Sequence, residues 1–331
     1  MPETTDHAAE AVPAARFHGA DGRAVRPCTP AAVTLRHIRM LGVAHGTNVL
    51  EIGTGSGYSA ALLAHLVGPF GRVTTVDIDP NLSKRAEALY VEHNHAVDTV
   101  VGDGLLGYEA HAPYDCILVG TTPPAIPDTW LRQLKPGGVL LTGVRLSALP
   151  GTYAIAHITV DAERRPSHVT IHHGGYTPMT VTDGPAPAAR AFALDQPHIS
   201  LTTLPPAVHG DMGTLLACLR DKPHTEPTPA PDGDYFHLKN WLIAANPAGL
   251  FEATLDQGVG IGVGSFAADG TDHAAVATDR FLIADDPGSP ALEVLRDLIH
   301  QWRQDGAPRT HELRGRLLRD GDVWHARVAR A

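Results

Sequence analysis

Cysteine is scarce. There are three, Cys28, Cys116 and Cys218, among 331 residues. An odd number without a Cys-x-x-Cys pair argues against a disulfide framework and against a zinc site. Long apolar runs are also missing. The longest, such as "VLLTGV" and "WLIAA", are far too short to span a bilayer. The first residues, "MPETTDHAAEAVPAARF", show no basic segment followed by an apolar run, so no signal peptide is expected. The expected location is cytoplasmic, with no membrane partner. Positive charge is in deficit, with 26 Lys and Arg against 36 Asp and Glu, a formal net charge of -10. A nucleic-acid partner is not expected, because such proteins carry a basic footprint. Histidine is plentiful at 20, but it is scattered and no His-Glu-x-x-His phrase occurs. The adjacent pair His172-His173 would point to opposite faces of a strand. No metal site is expected.

What is present is ordinary for a globular chain: 43% apolar and 19% charged residues, enough to bury a core. The length suggests two domains, or one with a large appendage. Residues 1–27 are rich in Ala and Pro and are expected to form an irregular arm. A helix is predicted from Pro30, with Val33, Leu35, Ile38 and Leu41 as its apolar positions and Thr29 as N-cap. "TNVLEIG" then reads as a buried strand and "SGYSAALLAHLVG" as a helix ended by Gly68. "RVTTVDID" is a second strand, and "PNLSKRAEALYVEHN" a helix opening on Pro80. "VDTVVGDG" and "YDCILVGTT" read as the third and fourth strands. "PDTWLRQLKPGGVLLTGV" reads as helix, Pro-Gly-Gly turn and fifth strand. Strand alternating with helix at this spacing predicts a doubly wound, Rossmann-like α/β fold with a mostly parallel sheet. "YAIAHITVD" and "PSHVTIHH" alternate like an antiparallel pair.

Near Asp183 the pattern breaks. "TDGPAPAAR" reads as a linker, so a first domain over 28–182 and an α+β extension over 190–331 are expected. In the extension, "SPALEVLRDLIHQWRQDG" reads as a helix with Ser289 as N-cap and Leu292, Leu295, Leu298, Ile299 and Trp302 on its apolar stripe. "ELRGRLLRDGDVWHARV" reads as a hairpin turning at Asp320-Gly321. The glycines of "GVGIGVGSF" alternate without a following helix or Lys, which suits a closely approached strand better than a phosphate loop.

The chemistry concentrates after the first strand. In Glu51-Ile52-Gly53-Thr54-Gly55-Ser56-Gly57-Tyr58 the glycines let the backbone turn sharply and approach a ligand. The spacing is GxGxG rather than the dinucleotide GxGxxG. Glu51 would repel a pyrophosphate but suits a cationic ligand. Asp77, ending the second strand, is placed to accept from ribose hydroxyls. Asp103, after the third strand, is placed to accept from an exocyclic adenine amine. A ligand with a positive centre, a ribose and an adenine is S-adenosyl-L-methionine.

"VLEIGTGSGYSAALLA", "VTTVDID", "VVGDGLLGYEAHAPYDCILVGTT", "WLRQLKPGGVLL" and "GGYTPM" (174–179) closely resemble the protein-L-isoaspartate O-methyltransferase family, over about residues 25–180. The resemblance implies a class I methyltransferase fold and S-adenosylmethionine, turned over to S-adenosylhomocysteine. The cofactor residues it implies are Glu51, Gly53, Thr54, Gly55, Asp77 and Asp103, with Ser56, Gly57, Tyr58, Ile78, Gly102 and Gly104 beside them. It further implies methyl transfer to an aspartyl or isoaspartyl carboxylate of a peptide or protein. Such a carboxylate is already ionised at neutral pH, so no general base is needed, and none is obvious.

Two features depart from the family. It usually carries a substrate-facing serine two residues before the proline that opens the first helix. Here that residue is Cys28, a weaker donor. Cys28 is either a substrate-proximal residue or a small filler, and nothing nearby marks it as a nucleophile. Thr29 is either the N-cap or a substrate contact. Thr121 and Thr122 stand at the sheet edge where ligands bind, and either touch substrate or cofactor or satisfy local backbone. The second departure is length. The tail "LIHQWRQDGAPRTHELRGRLLRDGDVWHARV" resembles the branch of the family linked to ribosomally made, modified peptides. That implies a macrocyclised precursor peptide as partner, methylated at an aspartyl group whose ester closes to an aspartimide. A general isoaspartyl repair enzyme, a small-molecule methyltransferase and a non-catalytic cofactor-binding partner protein are the alternatives.

Overall fold

The computed structural model describes residues 4–26, 28–179, 190–193, 199–203, 212–221, 223–228, 230, 233–266 and 272–331. The linker expected over 182–190 lies almost wholly outside them. The chain divides into two compact units. The first comprises Met1–Val144, Ala154–Val181 and Arg316–Ala326, and the second Arg145–Tyr153, Thr182–Gly315 and Arg327–Ala331. Two short segments therefore depart from the boundaries expected from sequence: residues 145–153 group with the second unit, and residues 316–326 with the first.

The first unit opens with α1 (Thr5–Ala11), which corrects the expected irregular arm. Thr4 caps it by accepting from His7 N, and Ala8, Val12 and Phe17 are buried in the core of this unit. Ala-rich sequence favours helix, and three buried apolar residues give the segment a reason to dock. After α2 (Ala31–Leu41) the chain alternates as predicted: β1 (Asn48–Ile52), α3 (Tyr58–Val67), β2 (Arg72–Asp77), α4 (Pro80–Glu92), β3 (Asp98–Val101) and β4 (Tyr114–Val119). There follow β5 (Ile126–Pro127), α5 (Asp128–Arg132), β6 (Leu134–Arg145), β7 (Tyr153–Val160) and β8 (Pro166–His173). The sheet order is β3-β2-β1-β4-β6-β7-β8. The pairs among β3, β2, β1, β4 and β6 are parallel, and β7 pairs antiparallel with β8. Strand order reverses between β1 and β4, and a parallel sheet opens a crevice at that point, beyond the carboxyl ends of its strands. The parallel order and the intervening helices are those of the doubly wound α/β sheet expected from the sequence.

The start of α2 differs from expectation. Pro30, not Thr29, is the N-cap residue, and no side chain caps the helix. Its buried face is Thr34, His37, Ile38 and Leu41, so two polar residues lie on the stripe.

The second unit contains β9 (Arg190–Ala193), β10 (Ser200–Thr203), α6 (Met212–Asp221), β11 (His224–Pro227) and α7 (Tyr235–Ala245). It continues with β12 (Leu250–Leu255), β13 (Gly258–Phe266), β14 (Asp272–Ala277), β15 (Phe281–Ala284) and α8 (Pro290–Gln304). Its antiparallel sheet runs β11-β15-β14-β13-β12-β10-β9. β13 is the strand with alternating glycines. A Cβ at Gly262 would lie 2.2 Å from Ala275 O and 2.9 Å from the Phe251 ring, the close approach expected of it. Of the predicted stripe of α8, Leu292, Leu295, Ile299 and Trp302 are buried, whereas Leu298 is only partly so. Ser289 holds the N-cap position, but its hydroxyl donates to Asp285 instead of the helix.

The chain closes with β16 (Arg314–Asp320) and β17 (Val323–Ala329). Val323 and Trp324 pair with Pro127 and Ile126 of β5, and Trp324 Nε1 donates to Asp128 at 2.9 Å. Strand pairing is what draws residues 316–326 into the first unit.

Candidate active site

The crevice at the β1/β4 switch point holds a cavity of about 410 Å³, wholly within the first unit. Of the residues singled out from sequence, Cys28, Thr29, Glu51, Gly53, Thr54, Gly55, Ser56, Tyr58, Asp77, Ile78, Asp103, Gly104 and Thr121 line it.

Three of the expected residues, Gly57, Gly102 and Thr122, are not among those that line it. Gly57 sits behind the wall as the N-cap of α3 at φ 87°, and its carbonyl accepts from Tyr90 Oη. A Cβ there would lie 2.9 Å from that hydroxyl, so Gly57 serves packing and turn geometry. Gly102 donates its N–H to Asp77 O and steadies the end of β2. Thr122 is buried, and its hydroxyl donates to Tyr176 O at 2.8 Å. Its backbone also bonds Thr177 O and Met179 N. Thr122 therefore pins the segment 174–179 over the end of β4 and does not reach the cavity.

The glycine loop is held from three sides. Gly53 N donates to Val76 O, Gly55 N to Asp77 Oδ2, and Arg85 Nη1 donates to Ser56 O. The second Asp77 oxygen accepts from Asp79 N at 3.0 Å. Asp77 is thus oriented before any ligand arrives, with lone pairs to spare for a diol. Asp103 Oδ1 accepts from Leu105 N, which orients that carboxylate in the same way.

Glu51 is only 1% exposed, although it lines the cavity. Thr75 donates to it at 2.6 Å, and no cation pairs with it among the described residues. Burial pushes its pKa up to about 7, against hydrogen bonds from Ser59 and Thr75 that favour the anion; Asp77 adds to the rise. A buried, unpaired carboxylate lining a cavity is the arrangement a cationic ligand relieves. The acceptor and glycine set therefore fits S-adenosylmethionine.

The cavity also gathers His37, which the sequence does not mark, with Tyr176 of the "GGYTPM" segment, close enough to Glu51 for that carboxylate's charge to act on the tyrosine. His37 is 1% exposed, contacts Tyr176 Oη through Nδ1, and has Arg36 Nη2 3.1 Å from its Nε2. Burial, with Arg36, His172 and His173 nearby, lowers its pKa to about 4. The available signal was the spacing of Thr34 and His37, polar residues three apart on the buried stripe of an otherwise amphipathic helix. Thr121, whose methyl lies against Gly53 of the glycine loop, has its Oγ1 buried without a hydrogen-bond partner among the described residues. Cys28 lies exposed at the mouth of the cavity.

No group of three metal-ligating side chains occurs among the described residues, and no helix there is long and apolar enough to cross a membrane.

Residues 26–163 match the family model described as Protein-L-isoaspartate(D-aspartate) O-methyltransferase. A protein-L-isoaspartate O-methyltransferase of Ignicoccus hospitalis is 47% identical over 100 residues, covering 30% of this chain and 47% of its own. One from Methanopyrus kandleri is 46% identical over 101 residues, covering 30% and 45%. The chain thus spans about half the length of the curated relatives it matches. A solved protein-L-isoaspartate O-methyltransferase aligns over 97% of this chain and 94% of its own, at 18% identity and a TM-score of 0.48.

Proposed function

We propose that the protein is an S-adenosylmethionine-dependent O-methyltransferase acting on an aspartyl or isoaspartyl carboxylate of a polypeptide. The observation that carries this reading is one cavity that gathers unpaired Glu51 with Asp77, Asp103 and the glycine loop, inside the segment that matches that family. When bound, the cofactor supplies an electrophilic methyl group on its sulfonium. Glu51 would offer its charge to the cationic part, Asp77 would accept from the ribose and Asp103 from the adenine amine. The acceptor is already an anion at neutral pH, so the chain supplies no base. Its work is to align the acceptor and to exclude water, which supplies roughly 7–11 kcal/mol of a barrier of this kind. Cys28, Thr29 and Thr121 are the wall residues we assign to the acceptor side.

The narrower reading is a macrocyclised, ribosomally made peptide as acceptor. The methyl ester then loses methanol to the next backbone nitrogen and closes to a succinimide. Two features support it: Cys28 in place of the family's serine, and a second unit that adds surface for recognising a shaped peptide. General isoaspartyl repair is the second reading, favoured by the names of the relatives above.

The test offers the chain S-adenosylmethionine with an isoaspartyl peptide, its linear aspartyl counterpart and a macrocyclic aspartyl peptide. Gain of a methyl group followed by loss of methanol, on the macrocycle alone, supports specialisation. Turnover of any isoaspartyl peptide establishes the repair reading instead. No methyl transfer to any of the three overturns the proposed reaction.

A further inference from the structure

Arg36, His37 and Tyr176 form a hydrogen-bond chain with one direction. A guanidinium only donates, so His37 Nε2, 3.1 Å from Arg36 Nη2, is an acceptor. In the neutral ring the proton then sits on Nδ1. Burial and the neighbouring Arg36, His172 and His173 keep the ring neutral at physiological pH. Nδ1–H therefore donates to Tyr176 Oη. That hydroxyl must send its own proton elsewhere, and it has no other hydrogen-bond partner among the described residues. His37 and Tyr176 both line the cavity, and they are 1% and 8% exposed. The backbone of Tyr176 is held by Thr122, which donates to its carbonyl, so the ring is presented from a fixed edge.

We propose that Tyr176 donates a hydrogen bond to a carboxylate bound in this cavity, and that Arg36 and His37 are positioning residues that fix its polarity. The dipoles of the chain run from a cation toward the cavity, which strengthens the terminal donor toward an anion. Thr121 Oγ1, buried without a partner among the described residues, is a second hydroxyl of a cavity-lining residue open to a ligand oxygen. The weak thiol donor at Cys28 leaves room for this role. The inference rests on the proposed function, which supplies two carboxylates: that of the methyl acceptor and that of the cofactor's amino-acid end.

The test uses the full chain and three variants, Tyr176→Phe, His37→Leu and His37→Asn. Histidine-labelled ¹⁵N spectra read the tautomer, with His37 assigned by its loss in His37→Asn. Calorimetry reads S-adenosylhomocysteine affinity, and kinetics read kcat and KM for isoaspartyl and macrocyclic aspartyl peptides. His37 is expected as a neutral Nδ1–H ring. Tyr176→Phe is expected to weaken one carboxylate ligand about 10- to 100-fold, the range for a hydrogen bond to a charged group. Loss in peptide kinetics at unchanged S-adenosylhomocysteine affinity assigns the carboxylate to the acceptor. Loss of that affinity assigns it to the cofactor. His37→Leu should reproduce the loss, and His37→Asn, which retains an N–H donor, should restore part of it. An Nε2–H or charged ring at neutral pH overturns the proposal, as does a Tyr176→Phe chain with both ligands unaffected. A wild-type chain that methylates neither peptide refutes the proposed reaction. The tautomer and the S-adenosylhomocysteine affinity then decide the donor alone, an unchanged affinity overturning it.

Discussion

Thr75 on β2 donates a 2.6 Å hydrogen bond to Glu51 on the adjacent strand β1, and the same hydroxyl lies 2.8 Å from Thr54 Oγ1 in the glycine loop. The register of β1 and β2 places Glu51 directly beside Thr75. Strand pairing thereby fixes a carboxylate inside the site instead of leaving it to solvent. The consequences are electrostatic.

Glu51 titrates near 7 in the folded chain, above its ordinary value of 4.5. A cation binds to its anionic form. S-adenosylmethionine affinity should therefore be flat above pH 7 and fall up to tenfold per pH unit below it, as binding has to expel a proton. The ligand-free fold behaves in the opposite sense. It holds a proton that the unfolded chain has lost between pH 4.5 and 7, so this group's contribution to stability rises as pH falls through that window. Glu51→Gln should flatten both curves. Calorimetry and thermal unfolding across pH 5–8, a range of roughly one unit around each limb, check it; a pH-dependent wild-type affinity that persists in Glu51→Gln contradicts the assignment.

Asp77 braces Gly55 N and Asp79 N while facing the cavity. Asp77→Ala should abolish measurable S-adenosylmethionine binding and lower stability by about 1–3 kcal/mol, the cost of stranding partly buried donors. Asp77→Asn keeps one acceptor and should lie between. Unchanged calorimetric affinity in Asp77→Ala would overturn the cofactor assignment.

Cys28→Ser restores the donor of the resembling family at the mouth of the cavity. It should raise kcat/KM for linear isoaspartyl peptides by about tenfold, one modest hydrogen bond's worth. An unchanged peptide profile makes Cys28 a filler.

Arg85 ties the amino-terminal segment to the glycine loop: it donates to Phe17 O, His18 O and Ser56 O. Arg85→Met keeps the aliphatic bulk and removes all three bonds. Limited proteolysis should then cut first near residues 17–24, and cofactor affinity should fall several-fold through the loop. Wild-type protection of that segment would show that the buried Phe17, which packs on Tyr58, holds it alone.

The alternation of strands and helices, the GxGxG loop and the carboxylates at strand ends were legible in the sequence. Each is a local pattern: period of apolar residues, glycine spacing, or an acidic residue closing an apolar run. The same holds for the strand reading of residues 258–266, where bare glycines make room for Ala275 O and the Phe251 ring. The amino-terminal helix was missed because Ala and Pro content hides how three apolar residues, Ala8, Val12 and Phe17, pack on a surface built far along the chain. Local signals also placed Thr122 and Gly57 in the site, whereas one proves to be a pin for the segment 174–179 and the other a packing turn.

What the sequence by itself determined is therefore the order of the elements and the chemical character of the cofactor side, since both are written in residue types at short spacing. What only the tertiary structure decided is which groups meet. His37 and Tyr176 are 139 positions apart, and no periodicity relates them. Glu51 acquires its raised pKa from burial, which is a property of everything packed around it and of no residue alone.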